Sequence, residues 1–262
     1  MFGNGLASVD GERGSGPDFI GTEYLPGAHT KDCLSPGENY SGLTIAVSEN
    51  APLLPGVTLK RAWALRGKRV IDVVGAMLGL VFLSPLFLVL ATAVALSDRG
   101  PVLFTQKRLG LHGAPFEVLK FRSMHVARCD PSGMNQVAVN DTRCTPIGAF
   151  MRRTSLDELP QLFNVLRGEM SLVGPRPHVP GMLACGSAYT ELVPHYGFRH
   201  AMRPGLTGWA QCNGLRGPTL NRRRAISRIG HDIAYVQHFS LLLDLKILLR
   251  TVIAVLTSKD AL

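Results

Sequence analysis

The chain has 262 residues, of which 28 are Lys or Arg and 19 are Asp or Glu, and its net charge at pH 7 is +9. This length suits one domain with an appendage or two small domains, and a chain this basic usually meets a polyanion such as nucleic acid, anionic lipid or a phosphorylated substrate. The five cysteines are scattered without CxxC spacing, which excludes a disulfide framework and a cysteine-ligated zinc site.

Residues 1–59 differ from the rest of the chain in charge and in patterning. They hold seven acidic and two basic residues, a net charge of −5, so the remainder carries +14. They also hold 10 of the 28 glycines and five prolines, and their apolar residues follow no sustained period. We therefore expect residues 1–59 to be an acidic, disordered tail.

A long apolar segment follows, from Val70 to Leu96, with Asp72 as its single charge. It exceeds the ~20 apolar residues that a helix needs to cross a bilayer. Ser84 and Pro85 lie at its middle, where the proline removes a backbone hydrogen bond and clashes with the preceding turn. Two structures fit this pattern: one kinked transmembrane helix, or a re-entrant helix-break-helix that enters and leaves on the same face.

Both flanks of the apolar segment are basic. Basic flanks favour the cytoplasmic side of a membrane, so a spanning helix would have no preferred direction, whereas a re-entrant one satisfies both flanks. The charges alone leave the two structures equally open. The residues concerned are Lys60, Arg61, Arg66, Lys68 and Arg69 before the segment and Arg99, Lys107 and Arg108 after it.

From Gly100 onward the pattern is that of a mixed α+β domain. PVLFTQKRLG and PFEVLKFRSM predict short strands. Apolar residues at helical spacing predict a helix over Pro160–Leu166, with Gly168 as its stop. Three prolines make Gly174–Pro180 irregular, and the closing SLLLDLKILLRTVIAVLT predicts an interfacial or core helix. The expected fold is a small, membrane-associated α+β domain with amphipathic interfacial helices.

Two adjacent acids, Asp157 and Glu158, stand just before this predicted helix. Ser155 and Glu158 fit a capping box, but Pro160 lacks an N–H and must lie in the first helical positions, which moves the cap to Asp157. A helix N-terminus would keep Asp157 ionised, as a carboxylate nucleophile requires. Taken alone, the motif favours capping over chemistry.

Charged residues in neighbouring motifs favour chemistry instead. Guanidinium groups bind phosphate oxygens bidentately, and a carboxylate pair can hold Mg²⁺ together with water and substrate phosphates. Carboxylates, a metal and arginines beside a membrane segment indicate phosphoryl transfer between a nucleotide and a lipid. The residues are Arg152 and Arg153 before the acid pair, Arg176 in GPRP, Lys120 and Arg122 in KFRSM, Asp141 and Arg143 in NDTR, and Arg203 in RPGLTG.

Four long motifs run in order along the chain: KFRSM, RRTSLDELPQLFNVLRGEMSLVGPRP, RPGLTGWAQCNG and HDIAYVQHFSLLLDLKILLRTV. They closely resemble those of the bacterial sugar transferase family, the monotopic polyprenyl-phosphate phosphoglycosyl transferases, in the short form and over roughly residues 66 to 257. The resemblance implies transfer of a sugar-1-phosphate from a UDP-sugar to polyprenyl (undecaprenyl) phosphate with release of UMP. That reaction is the first membrane step in making exopolysaccharide, capsule or O-antigen repeat units.

The resemblance also implies roles for individual residues. Asp157 matches the nucleophile, which carries the sugar-phosphate covalently, and Glu158 matches the acid that holds Mg²⁺ beside it. Arg176 matches a nucleotide-binding position and Arg152 a phosphate-contacting one. The other substrate-binding candidates are Lys120 and Arg122, which match a basic strand motif, with Asp141, Arg143 and Arg203.

The membrane organisation follows from the same resemblance, because the family's membrane segment is re-entrant and breaks at a Ser-Pro like Ser84-Pro85. We expect residues 60–99 to form the basic flank and re-entrant helix. Residues 100–262 would be a catalytic domain on the cytoplasmic face of the bacterial inner membrane, ending in an interfacial helix. The expected partners are a UDP-sugar, polyprenyl phosphate and bilayer lipids; the sequence does not fix an oligomeric state.

The donor sugar and two other classes of protein stay open. WAQCNGLRG, in place of LWQ-x-SGR, favours UDP-glucose with UDP-galactose as the alternative, since epimers differ by a few hydrogen bonds. A non-catalytic, membrane-anchored anion-binding protein would use the acids only as caps. A nucleic-acid binder would use Arg222-Arg223-Arg224, but the chain lacks a recognised module, so we expect no nucleic-acid partner. Release of UMP would separate the enzyme from both.

Overall fold

A computed structural model of the chain describes residues 58–129, 141–193, 195–217 and 221–257. All but the last two residues of the predicted tail lie outside these ranges. The described residues form eight α-helices and six strands: α1 Leu59–Phe82, α2 Ser84–Ser97, β1 Leu103–Leu109, β2 Pro115–Phe121, α3 Pro146–Arg153, α4 Gln161–Arg167, β3 Ser171–Val173, β4 Leu183–Ala184, β5 Ser187–Ala188, α5 Tyr189–Leu192, β6 Gly205–Thr207, α6 Trp209–Cys212, α7 Arg222–Gln237 and α8 Leu241–Thr257.

The strands make three two-stranded sheets rather than one large sheet. β1 and β2 form an antiparallel hairpin whose register runs from Leu103 opposite Phe121 to Leu109 opposite Pro115. β3 and β6 pair in parallel, and β4 and β5 form a second small hairpin. The predicted mixture of helix and strand is therefore confirmed, as are the two strands predicted after Gly100.

The break between α1 and α2 occurs at Ser84 and Pro85, and the two helices are bent by 64°. Pro85 has no N–H to give to the carbonyl of Val81, four residues earlier. The hydroxyl of Ser84 donates to that same carbonyl at 2.8 Å. The serine thus replaces the donor that the proline lacks, so the carbonyl of Val81 keeps a hydrogen bond at the bend. Within the described ranges no single helix is long and apolar enough to cross a membrane, whereas this bent pair together has the necessary length and composition.

Two glycines let α1 lie close to the globular part of the chain. A Cβ on Gly75 would stand 2.6 Å from Cδ1 of Leu172, and one on Gly79 would stand 3.2 Å from Cδ1 of Leu162. The two positions are one helical turn apart and share a face. The backbone of α1 therefore lies close to β3 and α4, and a larger residue at either glycine would require Leu172 or Leu162 to shift.

A buried polar network ties the same helix to the far end of the chain. Lys68 Nζ lies 2.7 Å from Asp244 Oδ2, and the hydroxyl of Tyr235 donates to Asp244 Oδ1 at 2.7 Å. Asp72 accepts from the Ser171 hydroxyl at 2.8 Å. The single charge of the apolar segment is thus buried and hydrogen-bonded within the protein. The network fixes α1 against β3, α7 and α8.

The basic flank before the apolar segment lies within α1 and is partly used for packing. Arg61 donates to the carbonyl of Val236 near the end of α7 at 2.9 Å, and Arg69 donates to that of Val165 near the end of α4 at 2.6 Å. Cations suit helix C-termini, where carbonyls lack partners. With Lys68, three of the five basic residues counted as orientation charges therefore have internal partners.

Helix α8 has apolar residues on a buried side and on an exposed side. Leu243 and Ile247 are buried in a core cluster with Trp209 and Tyr235. The opposite side is exposed and carries five apolar residues, so the core position predicted for the closing helix is confirmed, whereas an interfacial position stays a prediction. The exposed residues are Leu242, Leu245, Leu249, Val252 and Ile253.

Candidate active site

A tight reversal of the chain places the acid pair. α3 ends at Arg153, and Ser155 then adopts a left-handed conformation with φ of 58°. Such a conformation is uncommon outside glycine and asparagine and costs about 1–3 kcal/mol. It leads into a 3₁₀ turn, Leu156–Glu158, whose Leu156 packs with Leu159 into the cluster around α2. The acids are therefore held directly beside the second arm of the bent helix pair.

The expected capping roles are wrong. The side chain of Ser155 makes no capping hydrogen bond, and α4 begins only at Gln161, with Pro160 at its N-cap position. Asp157 lies in the preceding turn, where backbone bonds span three residues, as from Leu159 N to Leu156 O at 3.3 Å. The acids therefore lie in a 3₁₀ turn that precedes the helix, and neither carboxylate caps α4.

Glu158 is held by two cations from different parts of the chain. Lys120 Nζ on β2 lies 2.7 Å from Oε1. Arg176, in the irregular segment after β3, donates from Nη2 to Oε1 at 2.7 Å and from Nη1 to Oε2 at 3.3 Å. The structure therefore brings together three residues, Lys120, Glu158 and Arg176, that lie 18 to 56 positions apart in the sequence. Arg176 binds Glu158 through two nitrogens, and the ammonium group of Lys120 adds a third contact.

These contacts decide the charge of Glu158. Burial by itself would raise the pKa of the carboxyl group, but Arg176 and Lys120 outweigh burial and hold the pKa well below its ordinary value. The pKa of Lys120 is itself lowered by burial, against the opposing effect of Glu158. Glu158 is therefore ionised throughout the working pH range.

Asp157 is in a different electrostatic position. Burial raises the pKa of its carboxyl group, Lys120 opposes that shift, and the charge of Glu158 adds to it. Its carboxylate accepts no hydrogen bond or ion pair from any residue that the structure describes. The expectation that a helix N-terminus keeps Asp157 ionised is thus wrong, and the neighbouring cations are the groups that favour its charged form. A buried, unpartnered carboxylate among cations is typical of a reactive site.

Arg152 lies on the Asp157 side of the pair. Its Nη1 donates to the hydroxyl of Ser123 at 2.9 Å, and its charge lowers the pKa of Asp157. Arg152 comes from α3 and Ser123 from the segment after β2, so two elements converge here. A guanidinium in this place can reach an anion seated at Asp157.

Two further arginines near Glu158 were not predicted. Arg108 on β1 donates to the carbonyl of Pro177 at 3.1 Å, and burial, followed by the charge of Arg176, lowers its pKa to about 10. Arg216, in the loop after α6, has its pKa lowered by burial and then by Arg176. From the sequence, Arg108 is expected to be one of the basic residues that flank the membrane segment. Arg108 lies two residues after Gln106 in a predicted strand, so the two polar side chains share one face of that strand. This polar face was the signal that could have placed Arg108 in the site.

Four other candidates have different partners. Arg122 donates to two carbonyls at the end of α2 and so fastens the second arm to β2. Asp141 and Arg143 pair with each other, Nη2 to Oδ2 at 2.6 Å. Arg203 donates to Gly168 O at 2.8 Å, at the end of α4 that lies about 10 Å from its start. The contacts of these residues do not join them to the acid pair, so their contact with substrate stays a prediction.

The acid pair also supplies what a magnesium ion needs from a protein. Among the described residues no group of three or more His, Cys, Asp or Glu side chains could enclose a metal. Mg²⁺ usually takes only one or two carboxylates and completes its shell with water and substrate phosphates. Glu158 is ionised, and Asp157 offers a second, uncommitted carboxylate. These residues fit a metal that arrives with a phosphorylated substrate.

Comparison with known proteins gives one family. A model of the bacterial sugar transferase family matches residues 63–258. The exopolysaccharide production protein PSS of Rhizobium leguminosarum bv. phaseoli is 50% identical over 190 residues, which are 72% of this chain and 95% of that protein. The undecaprenyl-phosphate glucose phosphotransferase of Komagataeibacter xylinus is 42% identical over 238 residues, 90% of this chain and 43% of the relative.

A third relative is the UDP-glucose:undecaprenyl-phosphate glucose-1-phosphate transferase of Caulobacter vibrioides. It is 49% identical over 209 residues, which are 80% of this chain and 77% of the relative. The chain therefore spans almost all of the Rhizobium protein and less than half of the Komagataeibacter one. The match of the family model over residues 63–258 includes both acids and every cation of the site. The chain belongs to the bacterial sugar transferase family.

Proposed function

We propose that this chain transfers a hexose-1-phosphate from a UDP-sugar to undecaprenyl phosphate and releases UMP, so beginning the repeat unit of an exopolysaccharide, capsule or O-antigen. The observation that carries the proposal is the contrast within the acid pair. Glu158 is ionised and held by Lys120 and Arg176, whereas Asp157 beside it is buried without a partner. One acid is arranged to hold charge and the other is available to react.

Glucose is the proposed sugar. The Komagataeibacter and Caulobacter relatives are named for glucose and for UDP-glucose. Galactose is the alternative, because it differs from glucose in the orientation of one hydroxyl group and such epimers are separated by few hydrogen bonds.

The chemistry divides into two displacements at one phosphorus atom. An oxygen of the Asp157 carboxylate forms a bond to the phosphorus nearest the sugar, and the bond from that phosphorus to the bridging oxygen breaks, so UMP leaves with the electron pair. An oxygen of the lipid phosphate then attacks the same phosphorus and frees the Asp157 carboxylate. The covalent relay lets a water-soluble donor and a membrane-bound acceptor use the site in turn.

The cations around the acid pair support the first displacement. Arg176 and Lys120 would exchange Glu158 for the pyrophosphate oxygens, and Arg108 and Arg216, whose charges act on Arg176, would add to the positive charge of the site. Arg152, whose charge lowers the pKa of Asp157, would contact the transferring phosphoryl group. Glu158, with Asp157, would hold Mg²⁺, which neutralises charge on the pyrophosphate when bound.

The position of the acids beside α2 supports a membrane-bound acceptor. Leu156 and Leu159, on either side of the acids, pack in the cluster of α2 that includes Leu90 and Val94. We propose that α1 and α2 form a re-entrant hairpin and that the exposed apolar side of α8 lies at the bilayer surface. The catalytic domain would then face the cytoplasm, where the UDP-sugars used by this family are found.

The test uses the full chain in detergent or in lipid nanodiscs. With UDP-glucose and no lipid phosphate, wild type should release about one UMP per active site and carry a hexose-phosphate on the peptide that contains Asp157. Asp157→Asn should do neither. Steady turnover should then require undecaprenyl phosphate, and UDP-galactose assayed in parallel decides the sugar. Binding of UDP-glucose without any UMP release would instead establish the non-catalytic anion-binding protein.

A further inference from the structure

A second buried ion pair lies behind Arg176. Arg199, in the 3₁₀ segment Tyr196–Ala201, and Asp232, in the middle of α7, have side chains that are 1% and 2% exposed. Arg199 donates from Nη2 to Asp232 Oδ2 at 2.6 Å and from Nε to the same oxygen at 3.1 Å. No substrate can touch this pair, because both groups lie inside the protein.

Arg199 also holds the segment that carries Arg176. Its Nη2 donates to the backbone carbonyl of Arg176. Its Nη1 lies 3.4 Å from the hydroxyl of Tyr196, which in turn lies 3.1 Å from Nδ1 of His178. One guanidinium therefore fixes the segment at residue 176 directly and at residue 178 through a tyrosine.

The same segment is held from its other side by the β1–β2 hairpin. Arg108 donates to the carbonyl of Pro177, and the backbone N–H of Leu109 donates to the carbonyl of His178 at 2.9 Å. Three successive carbonyls, from 176 to 178, thus each receive a donor, the first from Arg199 and the other two from adjacent residues of β1. An irregular run with three prolines makes few backbone bonds of its own, so its position depends on these donors.

Stability alone does not explain a buried pair of this kind. Replacing a buried ion pair by apolar residues of similar volume is often neutral or stabilising, because desolvation of two charges offsets their attraction. Apolar side chains could fill the same space, but they could not donate to the carbonyl of Arg176. The donor capacity of Arg199, oriented by Asp232, is the property that an apolar core would lose.

We infer that Arg199 and Asp232 are positioning residues, which set the place of the Arg176 backbone and hence the bidentate grip of its guanidinium on Glu158 and on the pyrophosphate of the donor. The inference rests on the proposed function for its substrate. Arg199 acts through Arg176 and touches no reacting atom. The chain of contacts runs from α7 to the acid pair: Asp232, Arg199, the backbone of Arg176, its guanidinium and Glu158.

The first test replaces the pair by apolar residues of similar size, Arg199→Met with Asp232→Leu. This variant should unfold at about the wild-type temperature, yet its KM for UDP-glucose in single-turnover UMP release should rise about ten- to hundred-fold, since small misplacements of binding groups have effects of that size. A control at an exposed arginine, Arg167→Met, should leave the KM for UDP-glucose unchanged.

A second variant guards against simple misfolding. Arg199→Lys keeps a positive charge against Asp232, but one ammonium cannot reproduce the planar fork that serves both Asp232 and the carbonyl of Arg176. It should therefore fold and still show the raised KM. The inference would be overturned if Arg199→Lys and the apolar double variant both folded and both had the wild-type KM for UDP-glucose.

The decisive measurement is the combination with Arg176→Ala. If Arg199 acts through Arg176, then Arg199→Met with Asp232→Leu should change KM by about two-fold at most once Arg176 is alanine. A full multiplicative loss in that background would mean a general structural role instead.

Calorimetric binding of UDP supplies a readout independent of turnover: if wild type releases no UMP, the proposed function fails. The positioning role then stands or falls on whether Arg199→Met with Asp232→Leu weakens UDP binding only when Arg176 is present.

Discussion

The guanidinium of Arg176 faces the carboxylate of Glu158 with two nitrogens, Nη2 at 2.7 Å from Oε1 and Nη1 at 3.3 Å from Oε2. A planar fork that grips two oxygens of a carboxylate is already oriented to grip two oxygens of a pyrophosphate. The glutamate therefore orients the guanidinium when no donor is present. Because the long arginine side chain is already ordered in the folded protein, binding of a pyrophosphate would lose less side-chain conformational entropy.

Arg176→Ala should raise the KM for UDP-glucose and leave the thermal unfolding temperature close to that of wild type. Arg176→Lys should rescue little, because an ammonium presents no fork. Arg167→Ala, which removes an exposed arginine at the end of α4, is the matched control and should behave as wild type. Efficient turnover by Arg176→Lys would show that charge, rather than bidentate geometry, binds the donor.

Removing the charge of each acid in turn should affect stability in opposite directions. Asp157→Asn removes a buried carboxylate that has no partner among the described residues, so the variant should unfold at or above the wild-type temperature while losing activity. Glu158→Gln leaves the largely buried Lys120 and the partly exposed Arg176 without their counter-charge and should be the less stable variant. The measurement is thermal unfolding of both variants in the presence of a chelator. Equal shifts of the same sign would refute the proposed difference between the two acids.

Local patterns accounted for much of the fold. The break at Ser84-Pro85, the β1–β2 hairpin and the stop of α4 at Gly168, where φ is 83°, each depend on the conformational preferences of a few neighbouring residues. The apolar stripe of α8 likewise follows from its own spacing. These features could be predicted because the residues that determine them are adjacent in the sequence.

The parts that were missed depend on contacts across the chain. Arg61 meets Val236 over a separation of 175 residues, and Lys68 meets Asp244 over 176. No local pattern distinguishes such residues from solvated charges, so the flank appeared to serve orientation alone. Arg108 was missed for the same reason, since its role depends on the segment at Pro177 folding back over β1. The capping error arose differently: an acid before a helix is usually a cap, and here a 3₁₀ turn intervened.

Gly148 should be essential for the placement of α3. A Cβ there would lie 1.9 Å from the backbone oxygen of Ser123, and backbone cannot move aside as a side-chain end can. Gly148→Ala should therefore push α3 and Arg152 away from the acid pair, lowering the free energy of unfolding by about 1–3 kcal/mol or more together with the rate of UMP release. Gly197→Ala is the control, because its Cβ would meet nothing within 4 Å. Wild-type stability and activity in Gly148→Ala would mean that this contact is not rigid.

Both ends of the α1–α2 pair should be on the cytoplasmic face. Single cysteines in place of Arg66 and Arg99, both exposed, can be labelled with an impermeant thiol reagent in a chain whose five native cysteines are replaced. Arg99 serves better than Gly100, where a Cβ would stand 2.5 Å from Nη1 of Arg122. Neither cysteine should react in intact cells, and both should react after lysis. Labelling of one of them from outside would establish a spanning helix.

Pro85→Leu should move that topology toward spanning. Leucine restores the N–H that can donate to Val81 O, which removes the cause of the 64° bend. The cysteine at position 99 should then become reactive from outside in part of the population. Ser84→Ala is the companion variant: it removes the hydroxyl that serves Val81 but keeps the proline, so the break should persist. No change of labelling in Pro85→Leu would mean that packing, rather than proline, sets the bend.

The stability of the protein should fall as the pH drops from about 6.5 toward about 4, and His200 should contribute to that fall. Burial, together with the charge of Arg199, lowers the pKa of His200 to about 4, whereas an unfolded chain titrates near 6.5. The ring faces Tyr196 and the backbone of Gly110, and no carboxylate in the described residues pairs with it. Between these two pH values the unfolded state binds a proton that the folded state does not, so the free energy of unfolding decreases with decreasing pH.

His200→Gln cannot titrate, and its loss of stability between pH 7 and pH 4.5 should be smaller than that of wild type, while the two proteins differ by a constant amount above pH 7. Parallel stability curves over the whole range would show that His200 is accessible enough to be protonated in the folded protein.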